Sequence, residues 1–289
     1  MKVISPLENT PQQKRREHSS TWNKAKLRAL RQALLIVGGR LLLLVGLLLA
    51  WQFLSGRYIN PLFISSPLAV ARRISLWIAD GTLWYHTEIT LQETLLGLLL
   101  GLLSGVLMGF LLGLQPILAR IFDPVVVALY SIPKVALAPL FILWFGIDIQ
   151  MKVILAAVTV FFLVFFNTLS GVRNVDQNLI DAVLLMGGKR REMLFKVIIP
   201  SASSSVLMGF HISIPYALIG AVIAELIASN HGIGYLINDS ATQFDTARVF
   251  AALFVLTVIA ALLNTLVNFL DRKTSRWKVG IKQGYSLLP

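Results

Sequence analysis

Lys134, His211 and Tyr216 sit inside long apolar runs, and Glu93 and Glu225 sit near the ends of such runs. An ionisable group at membrane depth is costly and marks a partner charge or a polar pathway. Lys134, beside Pro133, reads in three ways: a structural ion pair, a pathway wall, or a shallow cation that snorkels to the interface. His211 reads as a satisfied core histidine or a ligand contact, and Tyr216, after Pro215, as a pathway aromatic. Glu225 reads as pairing with another span or as a substrate contact, whereas Glu88 and Glu93, opening an apolar run, read as solvated at the interface. Covalent chemistry has little to work with. Ser55, Ser104 and Ser170 precede glycines, but no G-x-S-G occurs and His211 is the only mid-run histidine to act as a base. The absence of cysteine excludes disulfides, thiolate metal sites and cysteine nucleophiles. His18, His86 and His231 show no metal-ligand spacing, so no metal site is expected. No G-x-x-x-x-G-K-[ST] phosphate loop is present, which rules out ATP hydrolysis by that route.

The elements that would position these residues follow from composition. The 289-residue chain is 56% hydrophobic and 14% charged, against about a quarter charged in a soluble domain. Its apolar residues fall in runs of membrane-spanning length. Six spans are expected, at about 33–55, 88–114, 122–146, 151–172, 203–228 and 248–271, within a transmembrane domain covering 32–272. The third contains Pro133, Lys134 and Pro139, which predict a kink or a partly unwound helix. Such backbone survives at membrane depth only where protein or a water-filled cavity surrounds it. Ser66-Pro67 predicts the start of an amphipathic helix running to Asp80-Gly81, too polar to span, at the outer surface.

The net charge of +12 is explained by topology. Residues 1–31 form a basic tail leading into an uncleaved first span, and 273–289 a second basic tail. With both tails inside, nineteen Lys and Arg fall on cytoplasmic segments and five on outer ones, so both termini are expected in the cytoplasm of a multi-pass protein. Nucleic acid is not an expected partner, because the basic residues are not interleaved with aromatics on one face. Membrane lipid is.

Gly97, Gly101, Gly105, Gly109 and Gly113 recur every fourth residue along the second span. This stripe lets another helix approach closely, either as fixed packing or as a sliding surface.

A polar, basic stretch separates the fourth and fifth spans. Asp176 can cap a helix over about 177–186, and Gly187 can end it in the left-handed conformation. Leu179, Ile180, Val183 and Leu184 share one apolar face of that helix. A second helix, Lys189 to Ile198, carries Met193, Leu194, Val197 and Ile198 before Pro200. Lys189, Arg190 and Arg191 can answer lipid phosphates or an acidic protein surface. From physics alone the segment is a membrane-surface hairpin or a docking element.

The spacing resembles the EAA motif of ABC-importer permeases: Glu-Ala-Ala, three residues, Gly, nine residues, Ile-x-Leu-Pro. Asp181, Ala182, Val183, Gly187, Val197, Ile199 and Pro200 occupy those positions, four of them as mild departures. The resemblance runs from about residue 60 to 275 and is closest to the nitrate/sulfonate/taurine-type branch. Ser66-Pro67, Gly81-x-Leu83-x-x-His86, Asp123-Pro124, Pro133-Lys134, Pro139-Leu140, Trp144-Phe145-Gly146, Asn167-Thr168, Ala224-Glu225 and Gly232-Ile233-Gly234 follow that branch's pattern in order.

The resemblance implies an all-α, polytopic membrane protein of the type I ABC importer fold, with the 176–200 loop as its coupling element. It implies partners: cytoplasmic ABC ATPase subunits that hold ATP and magnesium, an extracytoplasmic substrate-binding protein, and a second permease copy, identical or related. No cofactor is implied for this chain. A small anion such as a sulfonate, taurine or nitrate is the expected solute. Three departures weigh against it: Glu93 where the branch has arginine, His211 where arginine is common, and Tyr216 near a common tryptophan. They leave riboflavin, a thiamine-precursor pyrimidine or another aromatic compound open. A secondary carrier is the remaining alternative, though internal repeats and several intramembrane acids are not evident.

Overall fold

The computed structural model describes residues 11–274 and falls into two compact units, divided after Leu68. In the first, helix α1 (Pro11–Leu54) contains the expected first span at its C-terminal end. The helix therefore begins well inside the basic stretch assigned to a tail. It ends in a turn over Ser55–Ile59 that the following strand of chain fastens down. Trp51 Nε1 donates to the Ser65 carbonyl (2.6 Å), Ser55 Oγ to the Ile64 carbonyl (2.9 Å), and the Leu68 amide to Gln52 Oε1 (3.2 Å). The outermost parts of both expected tails, 1–10 and 275–289, lie outside the described residues.

The second unit is helical throughout its described residues. Helix α2 (Pro67–Ala79) starts at the proline, as expected, and buries Val70 and Trp77 while Arg72 stays exposed. Then follow α3 (Thr82–Gly113), α4 (Pro116–Ser131), a 3₁₀ turn (Lys134–Leu137), α5 (Ala138–Phe145) and α6 (Ile149–Arg173). After them come α7 (Gln177–Leu185), α8 (Arg190–Met193), a π turn (Leu194–Ile198), α9 (Ile199–Ile227), α10 (Ile233–Thr242) and α11 (Thr246–Thr274). Among the described residues five helices are long and apolar enough to cross a membrane, and six if the pair α4 and Lys134–Phe145, bent by 88° at the break, counts as one span. The second span begins at Thr82, six residues earlier than expected.

The core is α6 with α3 on one side and α9 on the other. Met151, Leu155, Val160, Val164 and Phe165 of α6 are fully buried. The glycine stripe of α3 creates this packing. A Cβ at Gly101 would lie 2.6 Å from the Ala157 carbonyl oxygen and the Val160 Cβ. At Gly109 it would lie 2.6 Å from the Thr168 Cβ, and at Gly113, 2.7 Å from Val172 Cγ1. Any side chain at these positions would push α6 away. Gly209 and Gly220 of α9 meet the other side of α6 in the same manner. Without a hydrophobic drive between helices in lipid, such close backbone contact supplies dispersion energy.

Candidate functional site

Beside the break in the third crossing an open cavity of about 350 Å³ is lined by Tyr130, Ser131, Ile132, Pro133, Lys134, Thr159, Leu163 and Tyr216. Pro133 lacks an amide proton and disfavours helix at Ile132, so α4 stops at Ser131 and Ile132–Pro133 run extended. Stopping there strips the last α4 carbonyls of their helical donors. The Lys134 ammonium donates to one of them, the Tyr130 carbonyl. It also stands 4.4 Å from the Tyr130 ring centroid and 4.9 Å from that of Phe162, within cation–π range. Ser131 Oγ donates to the Val127 carbonyl (2.8 Å) and Thr159 Oγ1 to the Leu155 carbonyl (2.8 Å). Two residues singled out from sequence, Lys134 and Tyr216, thus meet in one cavity. His211, on the same helix as Tyr216, is half-buried and does not line it.

The loop after α6 begins as expected, but its second helix, expected from Lys189 to Ile198, is the four-residue α8 followed by a π turn. Asp176 Oδ1 accepts the Asn178 amide (2.9 Å) and caps α7. At its other end Gly187 is left-handed (φ 81°), the Gly187 amide donates to the Leu184 carbonyl (3.0 Å) and the Gly188 amide to the Val183 carbonyl (2.9 Å). This pair of bonds is a Schellman motif. Gly188 packs tightly: a Cβ there would come within 2.5 Å of Val183 Cγ1 and 2.7 Å of the Val183 carbonyl oxygen. The Glu192 carboxylate accepts the Lys189 amide (3.0 Å) as α8 starts, and pairs with Lys196 (2.9 Å). Asp181 and Ala182 are exposed and Val183 half-buried on α7. Leu185 and Met186 are nearly bare, at 89% and 88% exposure. Val197 and Ile198 are buried, while Ile199 and Pro200 open α9.

At the opposite end of α6 lies a polar cluster that the sequence did not assemble. Glu93 is fully buried on α3 and pairs with the equally enclosed Lys152 of α6 (3.0 Å). The expectation that Glu93 is solvated at the interface is therefore wrong. It is four residues before Gly97, on the glycine stripe, and faces α6 as the glycines do. That register was the available signal. Glu88, by contrast, is exposed. Glu225 of α9 is buried beside the pair, and meets the partner on another span that it was expected to need. Its Oε1 accepts from Thr90 Oγ1 (2.7 Å) and its Oε2 from the Gly234 amide (2.6 Å). Thr90 Oγ1 accepts the Ile233 amide (2.8 Å), and His86 Nδ1 the Gly232 amide (3.0 Å). Gly232 (φ 99°) must be glycine twice over, for its backbone angle and because a Cβ would fall onto the Glu225 carboxylate. Among the described residues no three His, Cys, Asp or Glu side chains are grouped so as to hold a metal.

These features define a polytopic, all-helical membrane protein with a break between two apolar helices beside an open, lysine-containing cavity and an exposed helical loop at one end. Comparison with known proteins makes the class specific. Residues 97–276 match the family of binding-protein-dependent transport system inner membrane components. The chain is 40% identical to the riboflavin transport system permease protein RibX of Chloroflexus aurantiacus over 80% of this chain and 87% of that one. It is 32% identical to the taurine transport system permease protein TauC of Escherichia coli (86% and 90%). It is 30% identical to the formylaminopyrimidine transport permease protein ThiX of Halalkalibacterium halodurans (80% and 92%). An inward-facing structure of the MetNI methionine ABC transporter superposes with a TM-score of 0.59 at 18% identity, covering 69% of this chain and 97% of that one. The chain belongs to the family of binding-protein-dependent transport system inner membrane components and has the type I ABC importer fold. It is a multi-pass permease subunit of an ABC importer, a class whose partners are an ATPase and a substrate-binding protein. The secondary-carrier reading falls with that membership.

Proposed function

We propose that this permease carries a small solute through the cavity at the broken third crossing, powered by an ATPase docked on the α7 loop. The observation that supports docking is the loop itself. It is a capped, Schellman-terminated helix with Leu179, Leu184, Leu185 and Met186 exposed and with Asp181, Ala182, Val183, Gly187, Ile199 and Pro200 at EAA-like spacing. An exposed apolar edge of this kind is a recognition surface. ATP and magnesium are held by that ATPase; the chain has no phosphate loop and needs no cofactor of its own. The excess of Lys and Arg on the loop's side supports a cytoplasmic loop and cytoplasmic termini. The external binding protein delivers solute at the Glu225 end. Two permeases pair, either identical copies or relatives, and lipid covers the remaining apolar surface.

The solute is a small anion of the sulfonate, taurine or nitrate type, which the Lys134 ammonium in the cavity favours. Tyr130 and Tyr216 in the same walls favour a second reading, an aromatic solute such as riboflavin or a thiamine-precursor pyrimidine. The test of the docking role is Gly187→Asp and deletion of 181–187. Both variants should insert in the membrane, lose co-purification with the ATPase, and lose ATP-dependent uptake in vesicles. Undiminished association and uptake would sink it. Uptake of labelled sulfonates, nitrate, riboflavin and pyrimidines through the complete importer decides between the solutes.

A further inference from the structure

The cavity at the break contains one full charge that the protein does not neutralise. Lys134 is the only ionised side chain among its lining residues. Among the described residues no carboxylate lies within 4.0 Å of its ammonium; the four ion pairs found are elsewhere. Its present partners are partial charges: the Tyr130 carbonyl at the C-terminal end of α4, and the faces of two aromatic rings. An ammonium carries three protons, and the carbonyl takes one. The neighbouring hydroxyls cannot compete for an anion as donors, since Ser131 and Thr159 have spent their protons on Val127 and Leu155 carbonyls. The phenols of Tyr130 and Tyr216 make no hydrogen bond among the described residues.

A lysine near a helix C-terminus commonly caps it, and the helix dipole rewards the arrangement. Here the cap faces a cavity, beside the extended Ile132–Pro133 joint. A solute oxyanion entering that space offers a full negative charge, and charge-assisted hydrogen bonds are about twice as strong as neutral ones. We infer that Lys134 is the specificity-determining residue of the pathway and works by exchanging partners. With the cavity empty it caps α4; an anionic head draws it off the Tyr130 carbonyl and uncaps α4 at the joint. The permease then selects anions itself, in addition to whatever its binding protein selects. This inference rests on the cavity being the pathway.

The test uses the purified permease–ATPase complex without binding protein, and two labelled probes of similar size, ethanesulfonate and the neutral ethyl methyl sulfone. Equilibrium dialysis should show the wild-type complex binding the anion at least about tenfold tighter, a ratio equivalent to ~1.4 kcal/mol. Lys134→Arg should keep most of that preference. Lys134→Met should reduce it to within about twofold. Lys134→Gln, which retains a neutral donor for the Tyr130 carbonyl, should do the same, and it replaces the methionine variant if the latter does not fold. A tenfold preference persisting in Lys134→Gln would overturn the inference and leave the lysine as a helix cap only. Leu163→Trp, which fills the cavity, separates the underlying reading. Unchanged binding of both probes in that variant, or equal binding of both by wild type, would also overturn the inference. The first of these outcomes shows that the cavity is not the pathway, and the second that the pathway does not discriminate by charge.

Discussion

Lys152→Met should be among the most damaging single substitutions in the helical core, for an electrostatic reason rather than a packing one. The Glu93 carboxylate is fully buried, 3.0 Å from the Lys152 ammonium, with Glu225 alongside. At an effective dielectric of about 20, the attraction at that distance is ~5–6 kcal/mol before desolvation is counted. Desolvation offsets much of this in the intact pair. Removing only the lysine leaves the desolvated carboxylates facing each other, which costs about 3–5 kcal/mol. For a core of this size that corresponds to a fall in melting temperature of roughly 6–20 °C. The assay is thermal unfolding of the detergent-solubilised protein followed by tryptophan fluorescence. Glu93→Gln combined with Lys152→Met should recover most of the loss, because a neutral amide needs no counter-charge. A single variant melting within about 2 °C of wild type, or a double variant no better than the single, would refute the reasoning.

Gly105→Leu should separate α3 from α6, since a Cβ there meets the Phe161 carbonyl oxygen at 2.8 Å and the Val164 Cβ at 2.9 Å. Overpacking of this kind costs about 1–3 kcal/mol, and the same melting assay measures it. In the loop, Gly188→Ala should weaken ATPase co-purification more than Gly187→Asn. The first collides with Val183, whereas asparagine tolerates a left-handed backbone and Gly187 has open space around it. Equal losses would refute that ranking. Gly232→Ala should displace the Glu225 carboxylate and loosen α10, seen as faster amide exchange over residues 232–242 with α7 unchanged. Protection equal to wild type would contradict that clasp.

Local rules made some features readable and distance hid others. The break at Ile132–Pro133 follows from what proline does to its own amide and to the residue before it. The α7 cap and its glycine terminus depend on residues within five positions of each other. The glycine stripe gave the packing face of α3 but not the identity of the helix packed there. The Glu93–Lys152 pair was missed because its members are far apart in the chain, and a carboxylate near a span end resembles an interfacial one. Carrying the glycine register one turn further back would have moved Glu93 from solvent to the helix interface. Glu225 was recognised as needing a partner, but its role in seating the Gly232–Gly234 turn depends on backbone amides, which leave no trace in side-chain pattern. Lys134 and Tyr216 stand out separately in the sequence, and only the fold places them at one cavity while leaving His211 out.

The cluster around Glu225 has a mechanical consequence. It ties α3, α6, α9 and α10 together at the end of α6 farthest from the α7 loop, while glycine contacts hold α3 and α9 against α6 along its length. Helix α6 spans 25 residues, or about 38 Å. A unit locked at one end and seamed along its side behaves as a stiff lever. Each 5° of tilt imposed at the loop would displace the far end by about 3 Å over such a length, without any helix having to bend. The broken pair of helices is not among the four that are tied together, which leaves the Ile132–Pro133 joint as a place where a moving frame and a stationary solute can be reconciled.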